Sequence, residues 1–588
     1  MIGKITGTKH YLIMCIIGLL LLGAGLAHAN PVPLARPDFN AAAKLPDTRL
    51  YQEIFDLQEN ALWRRADRLI RRLDSPILMG HVLYQRYMHP TDYRARWVEL
   101  RDWLKNYADH PGAWRIYKLA KKRKPRGVSM PKQPPPRVYQ VRQGSQPSPL
   151  FTTRTKRRIK NHITSLVRRE RPTQALRYIT ARRQARLLTK AESNFLKSLI
   201  ARSYYIEGKI AKAYDLAIKA SHSRRYVPLA DWHAGLAAFR LGKTKPALKH
   251  FEQLARNRFA SESLRAQASY WAARVLRQMG EISSAEQHFR AAATSGDNFY
   301  ALLSMQHVTD GLPIIWQRAD IASDTFLASH PVLRRAQALR QAQHGEWAEL
   351  ELLYLQERLS DGQARMLLAY AREHDYPAVQ LALASRLGAG QANGMPLKLY
   401  EGAYPMIALD NDDTSIDTAL LFALIRQESR FKARAKSSAG ARGLMQIMPQ
   451  TAAFISGDRQ LARRSGRDRL LNSDLNLQLG QHYLSMLLSP AYFDGNLILA
   501  IAAYNAGPGN VRRWRNELDN MQDPLLFIES VPAPETRFYV QKVMRNMWIY
   551  RSRLKQEPAE HRILAAESWP TYHKTQNIPK LIPALLKN

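Results

Sequence analysis
Residues 414–449 read TSIDTALLFALIRQESRFKARAKSSAGARGLMQIMP. Thr414-Ser-Ile-Asp417 has the form of a capping box, so a helix is expected to run from there. Leu420, Leu421, Leu424 and Ile425 recur at the spacing of one helix face. Carried on from Leu421, the same spacing puts Glu428 on the buried side. A carboxyl at the end of an apolar stripe is either paired, with Arg426 and Arg430 as near cations, or functional. Left unpaired, it has its pKa raised by desolvation and holds a proton near neutral pH, as a general acid must.

Upstream the chain reads as helix after helix. Residues 40–115 are amphipathic, with Leu57, Ala61, Leu62, Ala66, Leu69 and Ile70 on the apolar side. Further on, small residues recur at Ala201, Gly235 and Ala273, spaced by 34 and 38 positions. Each is followed twelve residues later by alanine (Ala213, Ala247, Ala285), and Phe251 and Phe289 add an aromatic four residues on. Gly208, Gly242 and Gly280 mark the turns. Two helices per ~34-residue unit resemble tetratricopeptide-like repeats, which stack into a superhelix because no single pair can bury its own apolar face. Trp232, Tyr270 and Trp271 are expected to pack there. Helices continue through 320–400, and no segment shows a strand period, so the expected class is all-α.

Charge and ends set further bounds. The 588 residues carry 88 Lys+Arg against 49 Asp+Glu, a net +39. Such an excess favours anionic partners and says nothing of fold. Lys4 and Lys9, the apolar run Tyr11–Leu26 and Ala27-His28-Ala29 have the layout of a cleaved signal peptide over 1–29. Cleavage would remove the single cysteine, Cys15, and two charges, leaving +39 − 2 = +37. No later apolar run reaches the ~20 residues of a membrane helix, so a periplasmic protein without a stable span is expected. Between Arg115 and Arg169 stand 17 Lys/Arg and no acid, with six prolines from Pro131 to Pro149. Residues 121–152 are therefore expected to be a basic linker. Adhesion to an anionic polymer and a merely solvated arm both stay open for it, while export and the lack of interleaved aromatics exclude a nucleic-acid module.

Beyond Glu428 the chain continues with Ser437, Gly443-Leu-Met445-Gln446, then Ala503-Tyr504-Asn505-Ala-Gly-Pro-Gly509, then Pro534-Glu535-Thr-Arg-Phe-Tyr539. Gln446 and Asn505 offer amides that match N-acetyl and hydroxyl groups. Met445, Tyr504 and Tyr539 offer apolar faces for a sugar ring, although core packing is their commoner use. In order and spacing these motifs resemble the lysozyme-like lytic transglycosylases, most of all the large soluble periplasmic type. The motif-bearing likeness covers about 410–555, and a helical superhelix ahead of it agrees with that family's layout.

The resemblance implies a superhelix over 153–315 after a helical segment 30–120, a helical linker domain 316–405, a lysozyme-like domain 406–560 and a tail 561–588. It implies Glu428 as the catalytic acid/base. Ser437, Met445, Gln446, Tyr504, Asn505, Glu535 and Tyr539 would contact the saccharide. The implied substrate is the glycan strand of peptidoglycan, cut between N-acetylmuramic acid and N-acetylglucosamine to leave a 1,6-anhydro end. Neither metal nor cofactor is implied, and the superhelix would offer a surface to envelope protein partners. Arg442 and Phe538 are local variations on the motifs. Two rivals remain: a hydrolytic lysozyme, for which Asp474 or Asp494 would be the second acid, and a non-catalytic glycan-binding scaffold.

Overall fold
A computed structural model describes residues 47–135, 150–309, 311–319, 330–388, 394–409, 416–518 and 522–574. The expected signal peptide lies outside these residues, as do Thr414 and Ser415. Five helices come first: α1 Thr48–Glu59, α2 Trp63–Ile70, α3 Met79–Tyr87, α4 Trp97–Asn106 and α5 Ala113–Arg123. Trp97, Leu100, Trp103 and Ile116 form an aromatic-rich core among α3, α4 and α5. Next are α6 Arg154–Arg168, α7 Pro172–Thr180 and the short α8 Arg182–Ala185.

The repeats occupy α9 Lys190–Ile206, α10 Ile210–Ser221, α11 Leu229–Arg240, α12 Thr244–Ala255, α13 Glu262–Gln278 and α14 Ile282–Ala293. Gly208, Gly242 and Gly280 have φ of +74°, +68° and +80°, the left-handed turn that lets each second helix fold back. Ala213, Ala247 and Ala285 are buried to within 1%. The small residue in α11 has a steric reason: a Cβ on Gly235 would stand 2.5 Å from the Phe251 ring. That close approach lets Phe251 pack on Trp232 and Trp271, with ring centroids 5.6 and 5.9 Å away. The three aromatics expected to pack are buried, Tyr270 and Trp271 completely.

After α15 Phe299–Met305 comes a short strand, β1 Ile314–Gln317, and then α16 Pro331–Gln341, α17 Gly345–Leu355, α18 Asp361–Glu373 and α19 Pro377–Leu387. Strand β2 Leu397–Tyr400 pairs in parallel with β1, Ile314 opposite Leu397. The sequence showed no strand period here because four residues are too few to display one. Of the expected basic linker, residues 124–135 carry no helix or strand, and Trp114 Nε1 donates to the Pro135 carbonyl at 3.0 Å.

The remaining helices are α20 Thr418–Glu428, α21 Pro449–Ser456, α22 Ser473–Leu488, α23 Leu497–Ala506, α24 Pro508–Glu517, α25 Pro524–Ser530, α26 Pro534–Arg553 and α27 Ala559–Ala565. They are fastened to the repeats by buried polar groups. Arg274 of α13, 2% exposed, forks onto Glu567 at 2.7 and 2.9 Å and reaches Asp523 at 2.6 Å. Buried Glu529 accepts from Gln267, Tyr300 and Gln541 at 2.6–2.8 Å. Residues from 561 onward, expected as a tail, are held as far as Tyr572: His561 bonds the Leu302 carbonyl, Thr571 bridges to Asn496, and Tyr572 N donates to the Gly495 carbonyl.

Candidate active site
Helix α20 and helix α26 build the site together. Asp417 caps α20, its side chain accepting from Leu420 N at 2.9 Å, so the helix starts at Thr418 rather than at the sequence's Thr414. Asp417 is itself fixed by Arg551, which also grips Glu560 at 2.6 Å. All eight residues from Thr418 to Ile425 are buried, so the apolar stripe widens to the whole first two turns. The helix ends at Glu428. Arg430 and Phe431 then take φ of +55° and +63°, a left-handed conformation that side-chain-bearing residues rarely adopt. Two such residues in succession store strain beside a candidate functional group.

Glu428 is partly buried and, among the described residues, makes no ion pair. Arg426 is engaged elsewhere, donating to the Ala403 carbonyl and to Asn546 and lying over the Tyr404 ring. The Tyr539 hydroxyl donates to Glu428 Oε1 at 2.5 Å. Desolvation pushes the Glu428 carboxyl up to about 7, against a smaller downward pull from that hydrogen bond. Glu535, exposed one turn before Tyr539 on α26, raises it further by its charge. Tyr539 is 4% exposed, and burial beside Glu428 drives its phenol well above the usual range, so it stays a donor.

The other candidates fall into two groups. Tyr504 on α23 packs near Tyr483 and donates to the Met445 carbonyl at 3.0 Å; burial and then the Glu428 charge hold its phenol well up. Asn505 accepts from Thr536 Oγ1 at 2.7 Å, joining α23 to α26. Gln446 sits at φ +50° and spends its amide nitrogen on the carbonyls of Ala435 and Gly443. Among the described residues its Oε1 takes no hydrogen bond. Met445 was expected to contact the saccharide, yet its side chain is fully buried under Gly480, where a Cβ would come 2.1 Å from Sδ. Ser437 is exposed and closes a tight turn by accepting from Ala441 N at 3.0 Å. No hydrogen bond ties it to Glu428.

Three further residues support this turn, and of them only Asn476 was not anticipated. Asn476, wholly buried, accepts from Met445 N and donates to the carbonyls of Arg442 and Leu470, holding the GLMQ turn from beneath. Gly443 leaves no room for a side chain, a Cβ there lying 2.3 Å from the Asn476 amide. Arg442, taken as a variation, is 6% exposed and pairs with Asp468 at 2.8 Å. Local glycine spacing hinted at the turn, but nothing in the sequence pointed to Asn476, thirty-one residues from its partner. The rival acids Asp474 and Asp494 are both exposed.

Elsewhere, His81, His110 and Glu351 bring ligand-type atoms within 4.8 Å of one another. His81 Nδ1 and His110 Nε2 are buried without a hydrogen-bond partner among the described residues, but the remaining donors are engaged. Arg335 forks onto both Glu351 oxygens, and His110 Nδ1 accepts from Gly112 N, so its proton sits on Nε2. A cation would have to displace both arrangements, and the set does not fit a metal site.

Residues 406–526 match the family model described as the Transglycosylase SLT domain, so the C-terminal part of the chain is an SLT domain. That stretch holds Glu428, Ser437, Met445, Gln446, Tyr504 and Asn505; Glu535 and Tyr539 follow it. Among relatives, the soluble lytic murein transglycosylase of Salmonella typhimurium is 29% identical over 296 residues, 49% of this chain and 44% of its own length. That of Escherichia coli K12 is 28% identical over 302 residues, 51% and 45% respectively. The chain thus spans about half the length of the curated relatives it matches. The crystal structure of the 70 kDa soluble lytic transglycosylase from Escherichia coli superposes with TM-score 0.57 over 90% of this chain and 100% of that one. Its complex with bulgecin A gives 0.59. At 18% identity these likenesses are of fold.

Proposed function
We propose that this chain is a lytic transglycosylase of peptidoglycan, cutting the bond between N-acetylmuramic acid and N-acetylglucosamine. The observation that carries this reading is Glu428: a carboxyl without an ion pair among the described residues, desolvated to a pKa of about 7 and held by Tyr539. A group poised there serves as acid and base in one cycle. Protonated Glu428 gives its proton to the glycosidic oxygen, and the bond to C1 breaks. The substrate's own N-acetyl oxygen covers the cationic C1, since Asp474 and Asp494 are exposed and the acid felt by Glu428 is Glu535. Glu428 then takes the proton from the muramyl C6 hydroxyl, and that oxygen closes on C1 as a 1,6-anhydro ring. No water is consumed, and the nucleophile's high effective concentration replaces water activation.

Gln446 Oε1 and the Asn505 amide are the groups that would orient N-acetyl and hydroxyl groups, with Tyr504 as wall and Glu535 and Ser437 at the rim. Met445 backs the wall through its carbonyl. The division at about residue 406 into scaffold and catalytic domain belongs to the same reading, as does recruitment of envelope proteins by the superhelix. Periplasmic placement rests on the signal-like residues 1–29; among the described residues no helix is long and apolar enough to cross a membrane. Mass spectrometry of products from purified sacculi tests the reaction. Anhydro-muramyl ends, one water lighter than the hydrolytic product, are expected; free reducing ends would instead indicate a hydrolase.

A further inference from the structure
The charge excess is not spread evenly. Between Arg154 and Lys190 stand thirteen Lys/Arg and a single acid, Glu170. Ten arginines of this stretch are exposed, and among the described residues none has a carboxylate within ion-pair distance; the stretch's one ion pair is Lys156 with Glu192. On α6 the buried residues are Ile159 and Ile163, so Arg154, Arg157, Arg158 and Arg168 take the opposite, solvent side. Arg182 and Arg183 continue the exposed charge on α8.

This placement opposes local helix energetics. Three arginines crowd the first turns of α6, the positive end of its dipole, and the helix has no acid in its first turn. Arg154 and Arg158 are like charges at i,i+4, which also destabilises. A face needed only for solubility would carry interspersed signs with acids at the helix start. Where local preference is violated without local compensation, function is the expected reason. The chemistry of the face narrows the partner. Arginine forks match carboxylates two bonds at a time. The exposed residues between the cations on α6 are polar, Thr155, Asn161 and His162, and the stretch's one exposed large apolar residue, Leu187 after α8, is too little to insert in a bilayer.

We propose that the arginine face of α6–α8 is a second docking surface for the carboxylate-bearing glycan polymer, holding the chain on the wall while the cleft works. The identity of that polymer rests on the function proposed above. Two-point attachment to one polymer multiplies avidity without a new specific contact, and an exposed electrostatic contact is weakened by salt.

The test is co-sedimentation of the full chain with purified sacculi at low and high salt, beside vesicles of phosphatidylglycerol. One variant combines Arg154→Gln, Arg157→Gln, Arg158→Gln and Arg168→Gln. A charge-matched control combines Lys212→Gln, Lys219→Gln, Lys245→Gln and Lys249→Gln, all exposed on the repeats. The arginine variant is expected to bind sacculi about tenfold more weakly at low salt, while the control binds as wild type and both cleave short soluble glycan normally. Equal loss in both variants, no loss in either, or tighter binding of wild type to vesicles than to sacculi overturns the proposal. If wild type yields no cleavage products yet sediments in an arginine-dependent way, the catalytic reading fails and the docking surface stands.

Discussion

The repeats and the segment after Glu428 use the same backbone device for opposite ends. In the repeats, left-handed φ falls on Gly208, Gly242 and Gly280, where it costs nothing, and the buried space is filled with alanine and aromatic rings. After Glu428, left-handed φ falls on Arg430, Phe431 and Gln446, residues that resist it. The buried polar groups differ in the same way. Arg274 and Glu529, which fasten the repeats to the C-terminal helices, have charged or hydrogen-bonding partners on several sides. Among the described residues Glu428 has one side-chain hydrogen bond, from Tyr539, and no ion pair. One region is relaxed and paired, the other strained and unpaired, and the second needs the first to hold it in shape.

The sharpest way to break this contrast is Glu428→Gln. Loss of the acid/base group is expected to lower wall cleavage by about 10²–10⁴, read from soluble product released from sacculi. The same substitution should behave oppositely in stability. A folded-state pKa of about 7 against an ordinary 4.5 means that the folded protein keeps a proton the unfolded chain has lost. Stability therefore falls as pH rises from about 4.5 through 7 and stays reduced above. Glu428→Gln should raise Tm relative to wild type at pH 8 and lose that advantage near pH 4. An unchanged difference across that range would contradict a partly buried acid whose proton is held by desolvation.

In the scaffold, the expected effects are on stability alone. Trp271→Ala removes a fully buried ring between Trp232, Phe239 and Phe251. It should cost about 3–5 kcal/mol, read from chemical denaturation. Gly235→Ala pushes a methyl against Phe251 and should cost about 1–3 kcal/mol. If either variant left stability untouched while abolishing cleavage, the repeats would belong to the site rather than beneath it.

The same contrast explains what could be read in advance. The repeats were legible because their determinants are periodic: a turn glycine, an alanine five residues on, a small residue at the crossing. Glu428 was legible because its helical stripe is local. Asn476 was not, because its three bonds go to residues brought near only by folding. Met445 was placed by motif against the saccharide, whereas burial beneath Gly480 depends on how α22 packs. The β1–β2 pair was invisible because each strand has four residues and some eighty positions separate them.

The smallest expected effect is also the most specific, because two neighbours of Glu428 should move its titration in opposite directions. In the proposed mechanism the protonated form starts the reaction, so kcat/KM should be level below pH 7 and fall about tenfold per unit above it. Tyr539 donates to the carboxylate and favours its charged form. Tyr539→Phe removes that donor, the proton is held to higher pH, and the alkaline limb should move up. Glu535 presents a like charge that favours the proton. Glu535→Gln removes it, and the limb should move down. Each displacement should stay within about one pH unit, less than tenfold in rate at fixed pH. The position of the limb, not the height of the plateau, is the readout, because loss of substrate contacts lowers the plateau without moving it. Limbs moving together, or staying still while the plateau drops, would mean that Glu428 is not the group whose proton starts the reaction.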